Sequence, residues 1–144
     1  MTAESTPNDP PRQRDWSQNR FATLLHLPPL EMRDGGARLE FVVEEIHLRP
    51  GGVVHGGVFA TVLDTVTGYV GYIVGPPNHE VLTMQLNVNM TSTAKLGDRL
   101  IATAKALHSG RRTAVVHGEL RREDGKLLAT GSATLFFVKG EISS

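Results

Sequence analysis

The residues of this chain whose types and spacing could support catalysis are His55, Gly56, Gly57 and Asp64. Two glycines at the start of a helix leave unpaired backbone N–H groups that can receive a carbonyl oxygen or an anion. An aspartate can activate a water molecule or act as a nucleophile. Attack on a carbonyl carbon needs both features, because the carbonyl oxygen becomes negative and must be stabilised by donors. These residues are therefore a candidate site for hydrolysis at a carbonyl carbon.

The stretch from Val53 to Val74 must position these residues, and its valines predict an α-helix. Five of them recur every four residues, which is the spacing of one helical ridge: Val58, Val62, Val66, Val70 and Val74. A helix that is apolar nearly all round is buried on most sides. Since Asp64 is the only Asp, Glu, Lys or Arg in the stretch, we expect a lone carboxylate on a buried helix.

A membrane span and a β-strand are the two other interpretations of this stretch. The Asp near its middle, the interrupting threonines and glycines, and the lack of a basic flank argue against a membrane span. The stretch is too long for one strand, and its period of four also argues against a strand. We therefore expect a helix that begins at His55 and ends at Gly75-Pro76-Pro77.

The distance between the glycines and the acid indicates how many subunits the site needs. Asp64 lies about two turns beyond Gly56, which is roughly 12 Å along one helix. That distance is too long for both groups to hold the same carbonyl. The spacing therefore predicts a site between subunits, with the helix start of one subunit facing the Asp of another.

The rest of the chain predicts mainly β-strands joined by short turns. Alternating residues and turn signals such as Asp124-Gly125 place strands at residues 38–48, 80–90, 99–107, 111–121 and 126–138. Short connections imply antiparallel neighbours. A single sheet can bury an apolar helix only by curling around it, and a second copy of the chain is the natural cover for the open side.

In the strand at 80–90, strict alternation predicts an apolar face and a polar face. The apolar face would carry Leu82, Met84, Leu86, Val88 and Met90. The polar face would carry Val81, Thr83, Gln85, Asn87 and Asn89. The second face has no charged residue, so it could face a pocket or a second subunit. An ordinary exposed face is the alternative.

The composition favours one domain and excludes several classes of site. The 144 residues carry a formal net charge of +0, which argues against a nucleic-acid partner. The chain has no cysteine, which excludes disulfides and thiolate metal sites. The six histidines lack metal-ligand spacing, and no Gly-x-Ser-x-Gly motif is present. The start of the chain lacks a signal peptide, so we expect a cytoplasmic protein without a membrane partner.

The ends of the chain are more polar than its middle. We expect residues 1–14 to form a disordered leader, 15–140 the domain, and 141–144 a tail. Within the domain, Asp15–Leu25 could form a short helix that ends before Pro28-Pro29.

Taken together, these elements resemble the hotdog fold, an α+β fold in which a curled antiparallel sheet of about five strands wraps around one long central helix. The sequence GVVHGGVFATVLD at residues 52–64 is similar to the signature of the hotdog acyl-CoA thioesterases of the phenylacetate-degradation subfamily. In that family an acid follows the His by nine positions, as Asp64 follows His55. With similar segments at 83–88 and 94–98, the resemblance covers residues 38–138.

The resemblance implies hydrolysis of acyl-CoA thioesters at a subunit interface. The acyl group would be small, medium-chain or aryl. No metal or redox cofactor is implied, since coenzyme A is part of the substrate. The implied partner is a second copy of the chain, as a dimer or as a homotetramer built from two dimers.

Carried over position by position, the resemblance also implies roles for individual residues. Asp64 would be the general base or nucleophile, and the Gly56 N–H would polarise the thioester carbonyl. His55 would help to orient the site, and Thr83 would lie near the attacking water. The alternative for each side chain is a purely structural role. Asp64 would then be a structural acid, His55 an ordinary residue at a helix start, and Thr83 an ordinary strand residue.

Further substrate-binding candidates are Gly57 at the helix start, Gln85 on the strand after the helix, and Gly110 with Arg111 and Arg112. The two arginines could hold the phosphates of CoA, as basic residues near this turn do in the family. A solvated pair at a strand start is the alternative.

One position departs from the family pattern. Arg49 stands six residues before His55, where relatives usually have Asn or Gln. Arginine donates hydrogen bonds but cannot accept one, so the orientation of the attacking water would change. The alternative function is therefore a non-catalytic protein that binds acyl-CoA or another hydrophobic ligand on the same fold.

Overall fold

A curled antiparallel sheet around one long helix forms the protein, as the resemblance implied. The computed structural model describes residues 12–33 and 35–140. The strands are β1 (Glu31–Arg33), β2 (Gly36–Val42), β3 (His79–Met90), β4 (Arg99–Ser109), β5 (Thr113–Arg122) and β6 (Leu127–Lys139), and the helices are α1 (Arg20–Leu24) and α2 (Gly56–Val74). The strand order is β1-β2-β4-β5-β6-β3, with every pair antiparallel. Because α2 contacts β2, β3, β4, β5 and β6, the sheet encloses it on one side.

The prediction of a buried helix that begins after His55 is confirmed. Val58, Val62, Val66 and Val70 are buried against the sheet, and only the last valine of the ridge, Val74, is exposed. By length and composition alone α2 could cross a membrane. Its packing inside the sheet explains why the helix is apolar.

Two glycines of the sheet let α2 lie close to it. Gly118 of β5 and Gly131 of β6 are paired across the strands, and both face Leu63 of the helix. A Cβ atom added at Gly131 would lie 3.3 Å from the Leu63 Cβ, and one at Gly118 would lie 3.2 Å from the Leu63 Cδ2. The fully buried Leu63 therefore fills the space that the two missing side chains leave.

The first predicted strand, at 38–48, is wrong in its second half. β2 ends at Val42, and Glu45–His47 form a 3₁₀ turn. The His47 ring is buried in this turn, where its Nδ1 accepts the Glu44 N–H at 2.9 Å and its Nε2 lies 2.6 Å from the Leu25 carbonyl oxygen. These long-range contacts outweigh the strand pattern. The short β1 adds a sixth strand to the five expected.

The predicted faces of β3 are also wrong, because the strand contains a β-bulge. Its register against β6 shifts between Thr83 and Gln85, so that Met84 is the extra residue. An extra residue moves every later side chain to the opposite face. Thr83 therefore points to the same side of the sheet as Leu86, and Met84 is exposed.

The segment before β1 lies across one edge of α2. A 3₁₀ turn at Trp16–Gln18 and the short helix α1 replace the single helix expected over Asp15–Leu25. We call residues 12–25 the N-terminal strap. Most of the expected leader, residues 1–11, and the expected tail, 141–144, lie outside the described residues.

Candidate active site

A cleft of about 730 Å³ lies between α2, β3 and the N-terminal strap. The helix supplies a face of mostly small residues, β3 supplies one edge, and the strap supplies the opposite wall. The lining residues are Ala60, Thr61, Asp64, Thr65, Gly68 and Tyr69 of α2, Glu80, Val81, Thr83 and Leu86 of β3, and Arg14, Asp15, Trp16, Gln18, Asn19 and Phe21 of the strap. Asp64 and Thr83, two of the predicted catalytic residues, thus share one cleft.

Asp64 has an unusual environment for a carboxylate. Its Oδ1 is buried and has no hydrogen-bond partner among the residues that the structure describes. A buried polar atom without a partner costs free energy, and such atoms are rare outside functional sites. Because helix packing holds Asp64 at this place, its carboxylate is positioned to act on a group that enters the cleft.

The bulge in β3 explains how Thr83 reaches the cleft. Val81, Thr83 and Leu86 all line it, although strict alternation would put Thr83 and Leu86 on opposite faces. The register shift after Thr83 places the Thr83 and Leu86 side chains on the same face of the sheet. β-Bulges often lie next to active sites because they turn a side chain to a new direction.

The start of α2 offers one unused donor. The Nδ1 atom of His55 accepts the Gly57 N–H at 2.8 Å, so that His55 caps the helix and occupies that donor. The Gly56 N–H has no acceptor within the described part of the chain. The His55 N–H in turn donates to the His47 carbonyl oxygen at 2.9 Å, which links the helix start to the buried 3₁₀ turn.

Removal of the His55 cap should lower stability measurably. We expect His55→Ala to reduce the free energy of unfolding by about 1 kcal/mol, the usual value of an N-cap. His55→Asn keeps a capping acceptor and should recover most of that loss in urea unfolding. An alanine variant as stable as the wild type would show that the cap contributes nothing.

The remaining predicted site residues lie outside this cleft within one subunit. The exposed Arg49 donates to the carbonyl oxygen of its neighbour Pro50 at 2.6 Å, and Gln85 is exposed on β3. Gly110, Arg111 and Arg112 form the turn between β4 and β5, beside the C-terminal end of α2, where the Ser109 Oγ lies 3.5 Å from the Val74 carbonyl oxygen. That end is roughly 15 Å along the helix from Asp64.

The wall formed by the strap is the part of the site that the sequence did not reveal. The Arg12 guanidinium lies 3.8 Å above the Tyr72 ring and donates to the Tyr72 and His79 carbonyl oxygens at 2.8 and 2.7 Å. Arg14 lies 4.0 Å from the same ring and forms an ion pair with Glu80. These contacts join residues some sixty positions apart. A pattern of neighbouring residues therefore cannot predict them.

Tyr69 is the remaining titratable group of the helix face in the cleft. Burial raises the pKa of its phenol above the ordinary value, so that the hydroxyl group keeps its proton and can donate. Among residues 12–33 and 35–140, no group of three or more His, Asp and Glu side chains is placed to hold a metal ion.

The family model described as thioesterase superfamily matches residues 51–129, more than half of the chain. Acyl-coenzyme A thioesterase 13 of Homo sapiens is 33% identical over 98 residues, which cover 66% of this chain and 68% of that protein. The 1,4-dihydroxy-2-naphthoyl-CoA hydrolase of Escherichia coli is 28% identical over 86 residues, which cover 60% of this chain and 62% of that protein.

Solved structures show the same fold. The E. coli PaaI protein from the phenylacetic acid degradation operon superposes with a TM-score of 0.80 at 23% identity, covering 89% of this chain and 91% of that chain. A hypothetical thioesterase protein of Streptococcus pneumoniae, solved with coenzyme A, superposes with a TM-score of 0.70 at 25% identity, covering 79% of this chain and 90% of that chain.

Proposed function

The chain belongs to the thioesterase superfamily, and from this premise we propose that it hydrolyses acyl-CoA thioesters to a free acid and CoA. The observation that carries the proposal is the position of Asp64, whose partly buried carboxylate faces the cleft with one oxygen atom free of hydrogen bonds to the described residues. The names of the similar proteins support the choice of a CoA ester, because two of them act on such esters by name.

In the proposed reaction Asp64 acts as general base or as nucleophile. As base, it takes a proton from a water molecule that attacks the thioester carbonyl carbon; as nucleophile, its carboxylate oxygen attacks that carbon directly. Either attack makes the carbonyl oxygen negative, and the N–H of Gly56 at the positive end of a helix stabilises it. The C–S bond then breaks and CoA leaves as the thiolate, which in the base route takes up the proton that Asp64 received from water. In the nucleophilic route the acyl group is left on Asp64 as a mixed anhydride, and a water molecule then hydrolyses it to the free acid and restores the carboxylate. The reaction needs no metal or redox cofactor, so EDTA should not reduce turnover.

A second copy of the chain completes the proposed site. Gly56 and Asp64 are roughly 12 Å apart along α2, so the Gly56 N–H that faces Asp64 must come from a partner. The edge strand β3 supports this arrangement, because Leu82, Met84 and Met90 are exposed along it. A long edge strand with exposed apolar side chains is an open template for pairing, and a second chain would cover it. We propose a dimer, with a dimer of dimers as the larger assembly.

Charging the β3 edge should break this self-association. Met84 is 58% exposed and lies near the middle of β3, so a two-fold pairing of β3 about its centre would bring both copies of it together. We expect Met84→Lys to weaken dimerisation by about 100-fold or more, since like charges in an interface cost several kcal/mol. Sedimentation on dilution measures this change, and thiol release should fall with the dimer fraction.

Leu107→Lys is the matched control, because Leu107 is 69% exposed but lies on β4, away from the edge strand. It should leave both dimerisation and turnover as in the wild type. If Met84→Lys remained dimeric and active at the lowest concentration, the β3 edge would not be the interface.

Thiol release from a panel of CoA esters tests the function itself. The panel runs from acetyl-CoA through butyryl-, octanoyl- and palmitoyl-CoA to phenylacetyl-CoA, with the wild type beside Asp64→Asn. Turnover by the wild type that is lost in the variant supports the proposal. If no ester released thiol but the same esters raised the melting temperature, the protein would be a non-catalytic binder, and Arg49 would be the next residue to replace.

A further inference from the structure

Gly68 is an unexpected residue at its place in the helix. It lies well inside α2 (Gly56–Val74), and glycine is among the poorest helix formers because its backbone loses the most freedom on folding. Gly68 therefore weakens the helix unless packing or function requires a glycine there.

The other three glycines of α2 have neighbours that explain them. A Cβ atom at Gly71 would lie 2.6 Å from the Leu135 Cδ1, one at Gly56 would lie 2.9 Å from the Met90 Sδ, and one at Gly57 would lie 2.9 Å from the His55 Nδ1. A Cβ atom at Gly68, in contrast, would have no atom of the described residues within 4 Å apart from its chain neighbours and the backbone of the same helix. Packing inside the subunit therefore does not require glycine at 68.

The open space at Gly68 belongs to the cleft. Gly68 lines the cleft together with Asp64 and follows it by one helical turn, so the Cβ positions of the two residues are about 5–6 Å apart. The lining of the same cleft includes the side chains of Tyr69, Val81 and Leu86. An acyl chain that runs from a carbonyl carbon at Asp64 along the helix toward Gly68 would reach Gly68 only after several carbon atoms, and an acetyl group would not reach it.

We propose that Gly68 is a specificity-determining residue that keeps space open for the acyl group, so that the protein prefers medium-chain or aryl acyl groups to acetyl. This inference rests on the proposed acyl-CoA site. The absent side chain leaves room for methylene groups or a ring between the helix and the strap. Each methylene that is buried there raises affinity roughly fourfold.

The test is a pair of substitutions, Gly68→Ala and Gly68→Leu, read against esters of different length. Gly68→Ala should raise the melting temperature by about 2–4 °C, because it improves helix propensity without a clash. Gly68→Leu should lower the ratio of kcat/KM for octanoyl-CoA to kcat/KM for acetyl-CoA by about tenfold or more, since two or more methylenes lose their place. The kcat/KM for phenylacetyl-CoA, relative to that for acetyl-CoA, should fall in the same way.

Val74→Leu is the control for added bulk, because Val74 is on the same helix but exposed and outside the cleft. It should leave the ratio unchanged. An unchanged ratio in Gly68→Leu would overturn the inference. Equal loss for all esters, together with dissociation of the dimer, would also overturn it, because the space would then belong to a second copy of the chain.

A binding measurement separates this inference from the proposed function. In the Asp64→Asn background, octanoyl-CoA should raise the melting temperature more than acetyl-CoA does, and Gly68→Leu should remove that difference. If the wild type cleaved no ester, the proposed hydrolysis would be wrong, yet this difference would still show whether the acyl group lies over Gly68. If the two esters stabilised both variants equally, the inference would be wrong even for an active enzyme.

Discussion

Asp64→Asn is expected to lower kcat/KM for the best acyl-CoA ester by about 100-fold or more while leaving the fold and the proposed dimer intact. A general base contributes roughly 10²–10⁴-fold to the rate, and an amide can neither take the proton nor attack the carbonyl carbon. The change should not reduce stability, because Asp64 Oδ1 has no hydrogen bond to the described residues that the amide would break. Thiol release and urea unfolding of the same samples measure both effects.

Glu80→Gln serves as the matched control for that variant. Glu80 is a second carboxylate of the same cleft, but its Oε2 atom is engaged by Arg14, whereas the Asp64 Oδ1 has no partner among the described residues. We expect a much smaller loss of turnover than in Asp64→Asn. If Asp64→Asn kept full turnover, Asp64 would be a structural acid and the proposed mechanism would be wrong.

Leu63→Ala is expected to have the largest effect on stability, a loss of about 3–5 kcal/mol in the free energy of unfolding. Leu63 is fully buried and fills the space over Gly118 and Gly131. Neither glycine has a side chain that could move into the cavity, so the site cannot collapse. Urea unfolding at a fixed protein concentration measures the loss, since dimerisation would shift the apparent stability.

Leu63→Met is the control for this cavity, because it nearly conserves volume and should cost less than about 1.5 kcal/mol. The comparison also tests how the helix is held against the sheet. Leu63 directly precedes Asp64, so a helix that rotates to fill the cavity would move the carboxylate. A loss below about 1 kcal/mol in Leu63→Ala would show that the surrounding structure closes over the gap.

The sequence predicted well those elements whose pattern is local. The valine ridge from Val58 to Val70 gave the central helix, and His55 gave its start. The turn at Asp124-Gly125 separates β5 from β6 as expected. These signals come from neighbouring residues, and the packing of the sheet around α2 reinforces them instead of opposing them.

Elements that depend on distant contacts were missed or misplaced. The strand expected through His47 stops at Val42, because the His47 ring is held by the Glu44 N–H and the Leu25 carbonyl oxygen. The alternation in β3 fails at Met84, because a bulge is a relation between two strands and leaves no mark in one of them.

The candidate site was predictable only in part for the same reason. The motif placed Asp64 at the cleft, but the wall formed by Arg14, Trp16 and Phe21 comes from a segment about fifty positions away in the sequence. Arg111 and Arg112 are chemically suitable for a CoA phosphate, yet within one subunit they lie outside the cleft of Asp64. Their roles stay predictions until a complex with CoA locates the phosphates.

The N-terminal strap has a consequence for how substrate preference can evolve on this fold. The strap lies outside residues 51–129, the part of the chain that the family model spans, and it is joined to the rest by the contacts of Arg12 and Arg14 with Tyr72, His79 and Glu80. Mutations at Gln18 or Phe21, which line the cleft but make none of these contacts, can therefore reshape one wall without disturbing the helix that carries Asp64. Proteins of this fold could in this way differ in the acyl groups they accept while the central helix stays the same.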